Sequence, residues 1–273
     1  MDLSFIILTW NSKRYLENCL GSIGRAFANS ALTYEVLILD NGSQDGTADL
    51  LACLAAADPK HIYARYYPEN LGTTKSRNIL LRAAKGEYLC VIDSDVELPA
   101  GVIERLIETL NEYADVGIAV PRIVYPGGAW QKSFDRFPTL LDKAHRFLRL
   151  RAIEKRQALA MNDKTAPLSV DYAISACWLL RRDLVRSVGE LDERIFYAPE
   201  DVDYCLRVWK AGYRILYVPT VTIVHHAQEI SRGLTINRAK LSHIRGLLYY
   251  FFKHRYLLRR PQFSSDPVER QKR

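Results

Sequence analysis

The sequence lacks several features that would assign it to common classes of protein. Its five cysteines are scattered and form no Cys-x-x-Cys pair, which argues against a disulfide framework or a zinc site and favours reduced, packed thiols. No uninterrupted apolar run approaches the roughly 18 residues that a membrane-spanning helix needs. A strand pattern starts at Leu3 without the basic flank of a signal peptide, so we expect a cytoplasmic protein.

Two phosphate-binding signatures are also missing. No Gly-x-Gly-x-x-Gly follows the first predicted strand, and no Gly-x-x-x-x-Gly-Lys-Ser/Thr occurs anywhere. The sequence therefore gives no support to a dinucleotide-binding protein or a phosphate-loop ATPase. No internal repeat or low-complexity segment is present. With 48% hydrophobic residues, the chain of 273 residues can bury a large core.

Positive charge is concentrated toward the C-terminal end. Residues 238–273 contain ten Lys or Arg and two acidic residues, a net charge of +8, whereas the whole chain carries +7. The preceding residues are therefore close to neutral overall, although a second basic cluster lies between Arg136 and Arg156. This distribution favours an anionic partner, whether lipid, nucleic acid or a phosphorylated substrate.

Within this basic tail, residues 243–260 interleave leucine and aromatic residues with Lys and Arg. The pattern predicts an interfacial helix that holds the protein peripherally at the cytoplasmic face of a membrane. The alternative is that the helix packs back on the sheet, or on a partner subunit in a homodimer. We expect no nucleic-acid binding, because bulky aliphatic residues accompany the charges and no known binding motif is present.

The first hundred residues alternate between strand and helix patterns. Strand patterns cover residues 3–8, 34–39, 61–66 and 88–92, and helix patterns cover residues 12–24, 47–57 and 74–84. Three such steps predict an α/β fold with a parallel sheet and right-handed crossovers. The loops after the strands then meet at one edge, and they bring residues 9–11, 40–41, 70–72 and 93–95 into one nucleotide-sized crevice.

Two aspartates follow the fourth strand. Asp93 and Asp95 are separated by Ser94, and two anionic oxygen donors at a strand end suit Mg²⁺ or Mn²⁺ carried in with a diphosphate. The alternative is an Asp-Ser turn that ends the strand and caps the next helix. Arg77 or Lys75 could add positive charge for the diphosphate, although a solvated helix face is the simpler interpretation of Arg77 alone.

The second half is less regular. A helix is predicted over residues 102–113, strands over 116–120, 170–182, 215–218 and 221–224, and a basic, aromatic-bearing region over 134–160. Another helix, residues 202–211, is preceded by Glu200 and Asp201 and contains Asp203. Carboxylates in a first helical turn are commonly caps or dipole partners. His225 and His226 end the last strand pattern, where a histidine is more often structural than a ligand.

Several of these motifs, in this order, resemble those of family 2 glycosyltransferases. They are residues 4–11, residues 40–47, Asn70-Leu71-Gly72 with Arg77-Asn78, and Asp93-Ser94-Asp95, and the match continues to Ser231. The resemblance implies a single glycosyltransferase-A, Rossmann-like catalytic domain over residues 1–237, with residues 1–100 binding the nucleotide sugar and 101–237 the acceptor. Residues 238–273 would form a basic helical tail. The resemblance is strongest to bacterial members that transfer rhamnose or related sugars to lipid-linked or surface glycans.

The resemblance also implies roles for individual residues. Asp40 would contact the base, Asp93 the ribose or metal, and Asp201 would be the general base. The donor-binding set is Thr9, Asn11, Asp40, Asn70, Arg77, Asp93 and Ser94; the metal set is Asp93, Asp95 and His225, with His226 as the alternative histidine; and the acceptor side is Glu200, Asp203 and Trp178. Ser231 and Arg232 would lie in a loop that closes over the donor. Ser175 and Ala198-Pro199 depart from the usual family residues, which leaves the acceptor open.

The predicted function is inverting, metal-dependent transfer of a sugar from a nucleotide diphosphate sugar to a glycan or lipid-linked glycan in cell-surface polysaccharide synthesis. The donor we favour is dTDP-rhamnose, followed by a UDP-hexose. One alternative is a nucleotidyltransferase acting on sugar phosphates, although the glycine-rich signature of that class is missing. The other is a basic, non-catalytic module that binds membrane or nucleic acid, which would not need paired carboxylates in a crevice.

Overall fold

The computed structural model describes residues 1–140, 164–227 and 238–263. The elements in these ranges are β1 (Leu3–Thr9), α1 (Lys13–Phe27), β2 (Tyr34–Asn41), α2 (Thr47–Ala57), β3 (Ile62–Tyr67), α3 (Thr73–Ala83), β4 (Tyr88–Asp93), β5 (Val96–Glu97), α4 (Val102–Glu112), β6 (Val116–Val124), β7 (Phe134–Asp135), β8 (Leu168–Val170), β9 (Tyr172–Ala173), β10 (Cys177–Arg181), α5 (Arg182–Val188), α6 (Glu200–Lys210), β11 (Arg214–His225) and α7 (Arg238–His254). Residues 141–160 of the predicted basic region, and both Ser231 and Arg232, lie outside the described residues.

A nine-stranded mixed sheet forms the centre of the described structure, in the order β3-β2-β1-β4-β10-β6-β11-β5, with β8 paired to β11. The four strands of the first half are mutually parallel, which confirms the predicted β-α-β steps to within three residues. Helix α1 illustrates why the apolar spacing predicted the helices. Its residues Leu16, Cys19, Leu20 and Ile23 recur at helical spacing and are all buried.

The second half departs from the predicted strands. The single strand expected over residues 170–182 is wrong, because the chain bends at Asp171 and turns at Ser175 to give β8, β9 and β10. The two strands expected over 215–218 and 221–224 are one strand, β11, whose register against β6 shifts between Val218 and Thr222. Pro219 lies within that shift, and proline has no N–H to donate to a neighbouring strand.

Helix α7 packs onto the rest of the domain through its inner face. Tyr250 and Phe251 are 0% and 3% exposed, and they belong to the same apolar cluster as Trp178 and Trp209. No helix in the described ranges is long and apolar enough to cross a membrane. The boundary after residue 237 stays a prediction, but the helix beyond it completes part of the core.

The expectation of packed thiols holds for four of the five cysteines, which are buried and free. Cys53 is the exception, since its side chain on α2 is exposed. Helix α2 has a narrow contact with the core: Thr47 and Leu51 are its buried residues. Its sequence is apolar nearly all round, so composition alone did not show which face is turned outward.

Candidate active site

The site lies where the parallel strands of the first half end. Thr9 pairs with Asp40 at the end of β1 and β2, and Asp93 ends the neighbouring strand β4 opposite Leu8. Because parallel strands bring their carboxyl ends to the same edge, the polar residues that follow each strand are brought together. The topology therefore confirms the predicted edge at which the candidate residues meet.

Asp93, Asp95 and His225 form a compact group. One potential ligand atom from each lies within 4.8 Å of the others, and His225 Nε2 is 3.2 Å from Asp95 Oδ1 and 4.0 Å from Asp93 Oδ2. The histidine reaches this position because the end of β11 pairs antiparallel with β5, which places His225 opposite Val96. Two carboxylates and one imidazole could together hold a divalent metal ion.

Gln131 orients the imidazole of His225. Its Oε1 lies 3.1 Å from His225 Nδ1, so Nδ1–H donates to the amide oxygen and the ring is held with Nε2 facing the carboxylates, as in many metal-binding histidines. Burial lowers the pKa of His225, but the hydrogen bond to Asp95 and the charges of both aspartates raise it above its ordinary value. Gln131 is 6% exposed, and no local motif distinguished it from other polar residues.

The alternative histidine is not part of this group. His226 Nε2 lies 2.6 Å from Glu97 Oε1, and its ring centroid is 5.4 Å from that of Tyr15. Successive side chains of an extended strand point to opposite sides, so only one of the two histidines can face the aspartates. The structure therefore corrects the alternative assignment of His226 in favour of His225.

Two buried polar atoms at the ends of β1 and β2 have no hydrogen-bond partner among the residues that the structure describes. They are Thr9 Oγ1 and Asp40 Oδ1, and both residues are almost completely buried, at 0% and 2% exposure. The other carboxylate oxygen of Asp40 accepts from the Ser43 N–H at 3.1 Å. Buried polar atoms normally find partners, so this pair identifies a place where a ligand can supply them.

Asn11 and Ser94 brace the loops around these atoms. Asn11 has a left-handed backbone, with φ of 50°, and its Oδ1 accepts from the Gln44 N–H at 2.8 Å while its own N–H donates to Ser43 Oγ at 2.8 Å. Ser94 Oγ donates to Ser12 Oγ at 3.0 Å. These bonds fix the loops after β1, β2 and β4 to one another, and contacts of Asn11 or Ser94 with a donor stay predictions.

Asn70 holds the loop that leads into α3. Its Oδ1 accepts from Asn41 Nδ2 at 2.9 Å and from the Gly72 N–H at 2.8 Å. A Cβ at Gly72 would lie 2.5 Å from Phe196 O, and the next residue, Thr73, donates its N–H to the same oxygen at 2.7 Å. This loop therefore lies directly against the segment that precedes α6.

Arg77 connects the aspartates to the start of α6. Its NH2 group donates to Asp93 Oδ1 at 2.6 Å, and its NH1 group donates to Ser175 Oγ at 2.7 Å and to Glu200 Oε1 at 3.4 Å. Ser175 Oγ in turn donates to Glu200 Oε1 at 3.1 Å. Arg77 is 3% exposed, so the interpretation as a solvated helix face is wrong. The sequence of α3 gives no sign that Arg77 is buried, because the groups that it contacts lie far away in the chain.

Replacing Arg77 should destabilise the fold far more than replacing the next arginine of the same helix. Arg77→Met keeps much of the side-chain volume but leaves the carboxylates of Asp93 and Glu200 without their cation, and we expect a loss of about 3 kcal/mol in the free energy of unfolding. Arg82→Met is the matched control: Arg82 is 55% exposed in its ion pair with Glu190, and such pairs contribute about 0–1 kcal/mol. Urea denaturation checks both, and equal losses would contradict the assignment.

The two carboxylates that begin α6 differ in their surroundings. Glu200 is 8% exposed, and burial, together with the charge of Asp201, raises its pKa to about 8. Asp201 is more exposed, and its Oδ1 accepts from the Val202 N–H at 2.8 Å. Glu200 is thus engaged by Arg77 and Ser175, and Asp201 is the more exposed member of the pair.

Tyr197 is a site residue that sequence reasoning missed. Its pKa is raised to about 12 by burial and by the charges of Glu200, Asp93 and Asp201, which places a neutral phenol among the carboxylates. It directly precedes Ala198-Pro199, where the chain departs from the family pattern. That departure was the one feature of the sequence that could have drawn attention to Tyr197, and it concerned the neighbouring residues rather than the tyrosine.

Two residues expected on the acceptor side are packed in the interior. Trp178 is 1% exposed, its ring stacks on Tyr204 at 5.8 Å, and its Nε1 donates to Ala173 O at 3.2 Å. Asp203 is also 1% exposed; it lies two positions after Asp201, which turns it to another side of α6, where it contacts α7. Neither position gives an acceptor access, so both assignments are corrected.

The fold and this site define a nucleotide-sugar-dependent glycosyltransferase. Residues 4–189 match the model of the family described as Glycosyl transferase family 2, and the chain belongs to that family. It is therefore an enzyme that transfers a sugar from a nucleotide sugar. The resemblance found in the motifs is confirmed over more than half of the chain.

Proteins with similar sequences are glycosyltransferases by name. The chain is 29% identical over 241 residues to an N-acetylglucosaminyl-diphospho-decaprenol L-rhamnosyltransferase of Mycobacterium tuberculosis, covering 82% of this chain and 76% of that protein. It is 27% identical over 236 residues to Glycosyltransferase AglE of Haloferax volcanii, covering 85% and 69%. These similarities extend beyond the family match and into the second half of the chain.

Solved structures share the fold. The mannosyltransferase PcManGT of Pyrobaculum calidifontis, in complex with GDP-Man and Mn²⁺, aligns with a TM-score of 0.63 at 19% identity, over 95% of this chain and 65% of that one. GalNAc-T7 with UDP, GalNAc and Mn²⁺ aligns with a TM-score of 0.68 at 14% identity, over 92% of this chain and 48% of that one. At these identities the comparison concerns the fold, and it confirms the predicted glycosyltransferase-A architecture.

Proposed function

We propose that the enzyme transfers a sugar, with inversion at the anomeric carbon, from a nucleoside diphosphate sugar to a hydroxyl of a glycan or lipid-linked glycan in cell-surface polysaccharide synthesis. The observation that carries the proposal is the Asp93, Asp95 and His225 group, which Arg77 joins to the helix start that bears Asp201. The favoured donor is dTDP-rhamnose, with a UDP-hexose next. Similarity to the named L-rhamnosyltransferase supports this order.

The donor would lie between the two groups of polar atoms at the sheet edge. Thr9 Oγ1 and Asp40 Oδ1, which have no hydrogen-bond partner among the described residues, would meet the base, while Asp93 would face the ribose side. Asp93, Asp95 and His225 would hold Mg²⁺ or Mn²⁺, which would neutralise charge on the diphosphate. Asp40, with one oxygen fixed by Ser43, has its second oxygen oriented for a base N–H.

Asp201 would act as the general base. An acceptor hydroxyl is a weak nucleophile, so a carboxylate must take its proton as the oxygen attacks the anomeric carbon. The new glycosidic C–O bond forms as the bond to the nucleoside diphosphate breaks on the opposite face, which inverts the configuration in one displacement. Glu200, held by Arg77 and Ser175, would keep the start of α6 in place rather than take the proton.

Thermal-shift screening of dTDP-, UDP- and GDP-sugars with Mn²⁺, Mg²⁺ or EDTA tests the donor assignment. We expect the largest stabilisation with dTDP-rhamnose and a divalent ion, since a ligand that binds the folded state raises its stability. The selected donor is then incubated with a prenyl-diphosphate-linked N-acetylglucosamine, and NMR assigns the anomeric configuration of the product. Pyrophosphate release from a nucleoside triphosphate and a sugar phosphate would instead indicate a nucleotidyltransferase, and retention of configuration would exclude inversion.

We propose in addition that the outer face of α7 contacts the cytoplasmic surface of an anionic membrane. Leu241, Ile244, Leu248 and Phe252 follow one another at helical spacing and are 54% to 81% exposed, with Arg245 and Arg255 exposed beside them. An apolar stripe bordered by arginines is typical of interfacial helices. The inner face of α7 packs against the core, so the predicted membrane contact now concerns only the outer face of this helix.

A point substitution tests this contact better than truncation, because removal of α7 would also expose the core around Tyr250 and Phe251. Phe252→Glu should weaken binding to phosphatidylglycerol vesicles about tenfold, since it replaces an apolar contact with a charge that the surface repels. Tyr63→Glu, which changes a 44% exposed aromatic on β3, is the control and should bind like the wild type. Co-sedimentation checks both; unchanged binding of Phe252→Glu would refute the contact, and dimers dissolved by that variant would assign the stripe to a second copy.

A further inference from the structure

The segment that carries Asp201 is held by α7. We define the base segment as residues 192–203, which run from Asp192 through the loop before α6 to its first turn. Side chains and backbone of α7 contact this segment at its start, at the residue pair before Glu200, and within α6. The inference rests on the proposed role of Asp201 as the general base.

The closest approach is at Gly246. A Cβ at this position would lie 2.2 Å from Ala198 O, 3.1 Å from Ala198 C and 3.2 Å from Pro199 Cδ. The first of these distances is too short for a Cβ, the other two are tighter than most, and the two Ala198 atoms are backbone, which cannot rotate away. Gly246 therefore lets α7 touch the Ala198-Pro199 peptide, which is followed immediately by Glu200 and Asp201.

The second and third contacts are ionic. Lys253 Nζ donates to Asp192 Oδ2 at 2.8 Å and to Asp203 Oδ1 at 2.6 Å, so one ammonium group joins both ends of the base segment. His254 Nε2 donates to Asp203 Oδ1 at 2.8 Å. Although burial raises it, the hydrogen bond from His254 and the charge of Arg207 hold the pKa of Asp203 below its ordinary value. Tyr249 OH adds a bond of 2.9 Å to Asp192.

The opposite side of the base segment rests on the donor half. Thr73 N–H donates to Phe196 O at 2.7 Å, and Thr74 Oγ1 donates to Ile195 O at 2.7 Å. These bonds reach the loop before α6, so the segment lies between the start of α3 and the inner face of α7. The base segment is therefore held on one side by the start of α3, in the proposed donor-binding half, and on the other side by α7.

We propose that the inner face of α7 sets the position of Asp201 relative to the donor, with Gly246 and Lys253 as positioning residues. Gly246 fixes how close α7 approaches the residues before the base, and Lys253 ties the two ends of the base segment together. A catalytic group displaced by about 1 Å can cost on the order of 10²-fold in rate. The helix that carries the exposed apolar stripe thus also supports the catalytic carboxylate.

Gly246→Ala tests the close approach, with Gly24→Ala as the matched control. Both glycines lie inside helices, but a Cβ at Gly24 has nothing within 4 Å. In Gly246→Ala we expect faster deuterium uptake across residues 193–203, a turnover lowered about tenfold, and a donor Kd within about twofold of the wild type. The control should match the wild type in all three. Unchanged uptake and turnover, or a donor Kd that rises in proportion as turnover falls, would overturn the proposal.

Lys253 provides a second test that does not depend on the folding of Gly246→Ala. Lys253→Met should lower turnover at constant donor affinity, and Lys253→Arg should restore most of it, because the two aspartates then regain a cation. Loss in both variants, or in neither, would contradict a positioning role. Hydrogen exchange needs no substrate, so loosening of residues 193–203 in Gly246→Ala and Lys253→Met would be measured even if the proposed donor and acceptor were wrong.

Discussion

Replacing Asp95 with alanine is expected to abolish metal-dependent donor binding, and EDTA is expected to stop sugar transfer by the wild-type enzyme. Asp95 is 8% exposed and lies 3.2 Å from His225 Nε2, so the substitution removes one oxygen donor from a group of three possible ligands. Without a cation, a diphosphate that approaches Asp93 and Asp95 would meet carboxylates of the same sign at short range. The negative charge of the leaving group would then lack its main counter-charge.

Two measurements check this expectation. Titration calorimetry with a nucleoside diphosphate and Mn²⁺ should detect binding by the wild type and none by Asp95→Ala, and Mn²⁺ electron paramagnetic resonance should detect the lost ion directly. Asp58→Ala is the control, since Asp58 is a surface carboxylate paired with His61 and contacts no member of the group. Full transfer activity in EDTA would rule out a metal requirement, and the three residues would then have to be explained as a structural cluster.

Replacing Asp201 with asparagine is expected to lower kcat on the order of 10²-fold or more while donor affinity stays within about twofold of the wild type. Asparagine has nearly the same shape, and its carbonyl oxygen can still accept from the Val202 N–H that Asp201 contacts at 2.8 Å. The substitution therefore preserves the start of α6 and removes the capacity to take a proton. The proposed donor contacts come from the loops after β1, β2 and β4, so they should persist.

The matched control is Asp183→Asn, because Asp183 is also an acidic residue in the first turn of a helix, α5. If Asp201 merely interacted favourably with the helix dipole, both substitutions would have similar small effects on stability and none on turnover. Steady-state kinetics with saturating acceptor, together with donor calorimetry, separates the two cases. A parallel decline of donor affinity and rate in Asp201→Asn would assign the residue a structural role.

The sequence predicted the first half of the fold because the information there is local. Strands β1, β2 and β4 are read from runs of apolar residues and helix α1 from a spacing of three or four residues, so in these elements the sequence pattern reports burial directly. The placement of Asp93 and Asp95 follows from the same rule, since residues after parallel strands meet at one edge. The strand predictions for the second half were wrong at a bend at Asp171, a turn at Ser175 and a register shift near Pro219. These features interrupt or join strands without changing the apolar composition of the sequence around them.

The contacts that complete the candidate site were decided by tertiary structure. Arg77 is separated by 123 positions from Glu200, and His225 by 94 from Gln131, and no periodicity carries such pairings. The motifs and the resemblance indicated Asp93, Asp95, Asp201 and His225, but not that an arginine of α3 lies between the aspartates and α6. Only the tertiary packing shows whether a charged side chain is buried or exposed.

The C-terminal helix shows most clearly what the sequence by itself determined and what the fold alone decided. Its mixture of leucine, aromatic and basic residues predicted a helix with affinity for a surface, and composition could go no further because both faces carry apolar side chains. The fold assigned Tyr250 and Phe251 to the core and left Leu248 and Phe252 exposed. Which face of α7 is buried depends on which side contacts α6. The close approach of Gly246 to Ala198 and the ionic contacts with Asp203 determine that side.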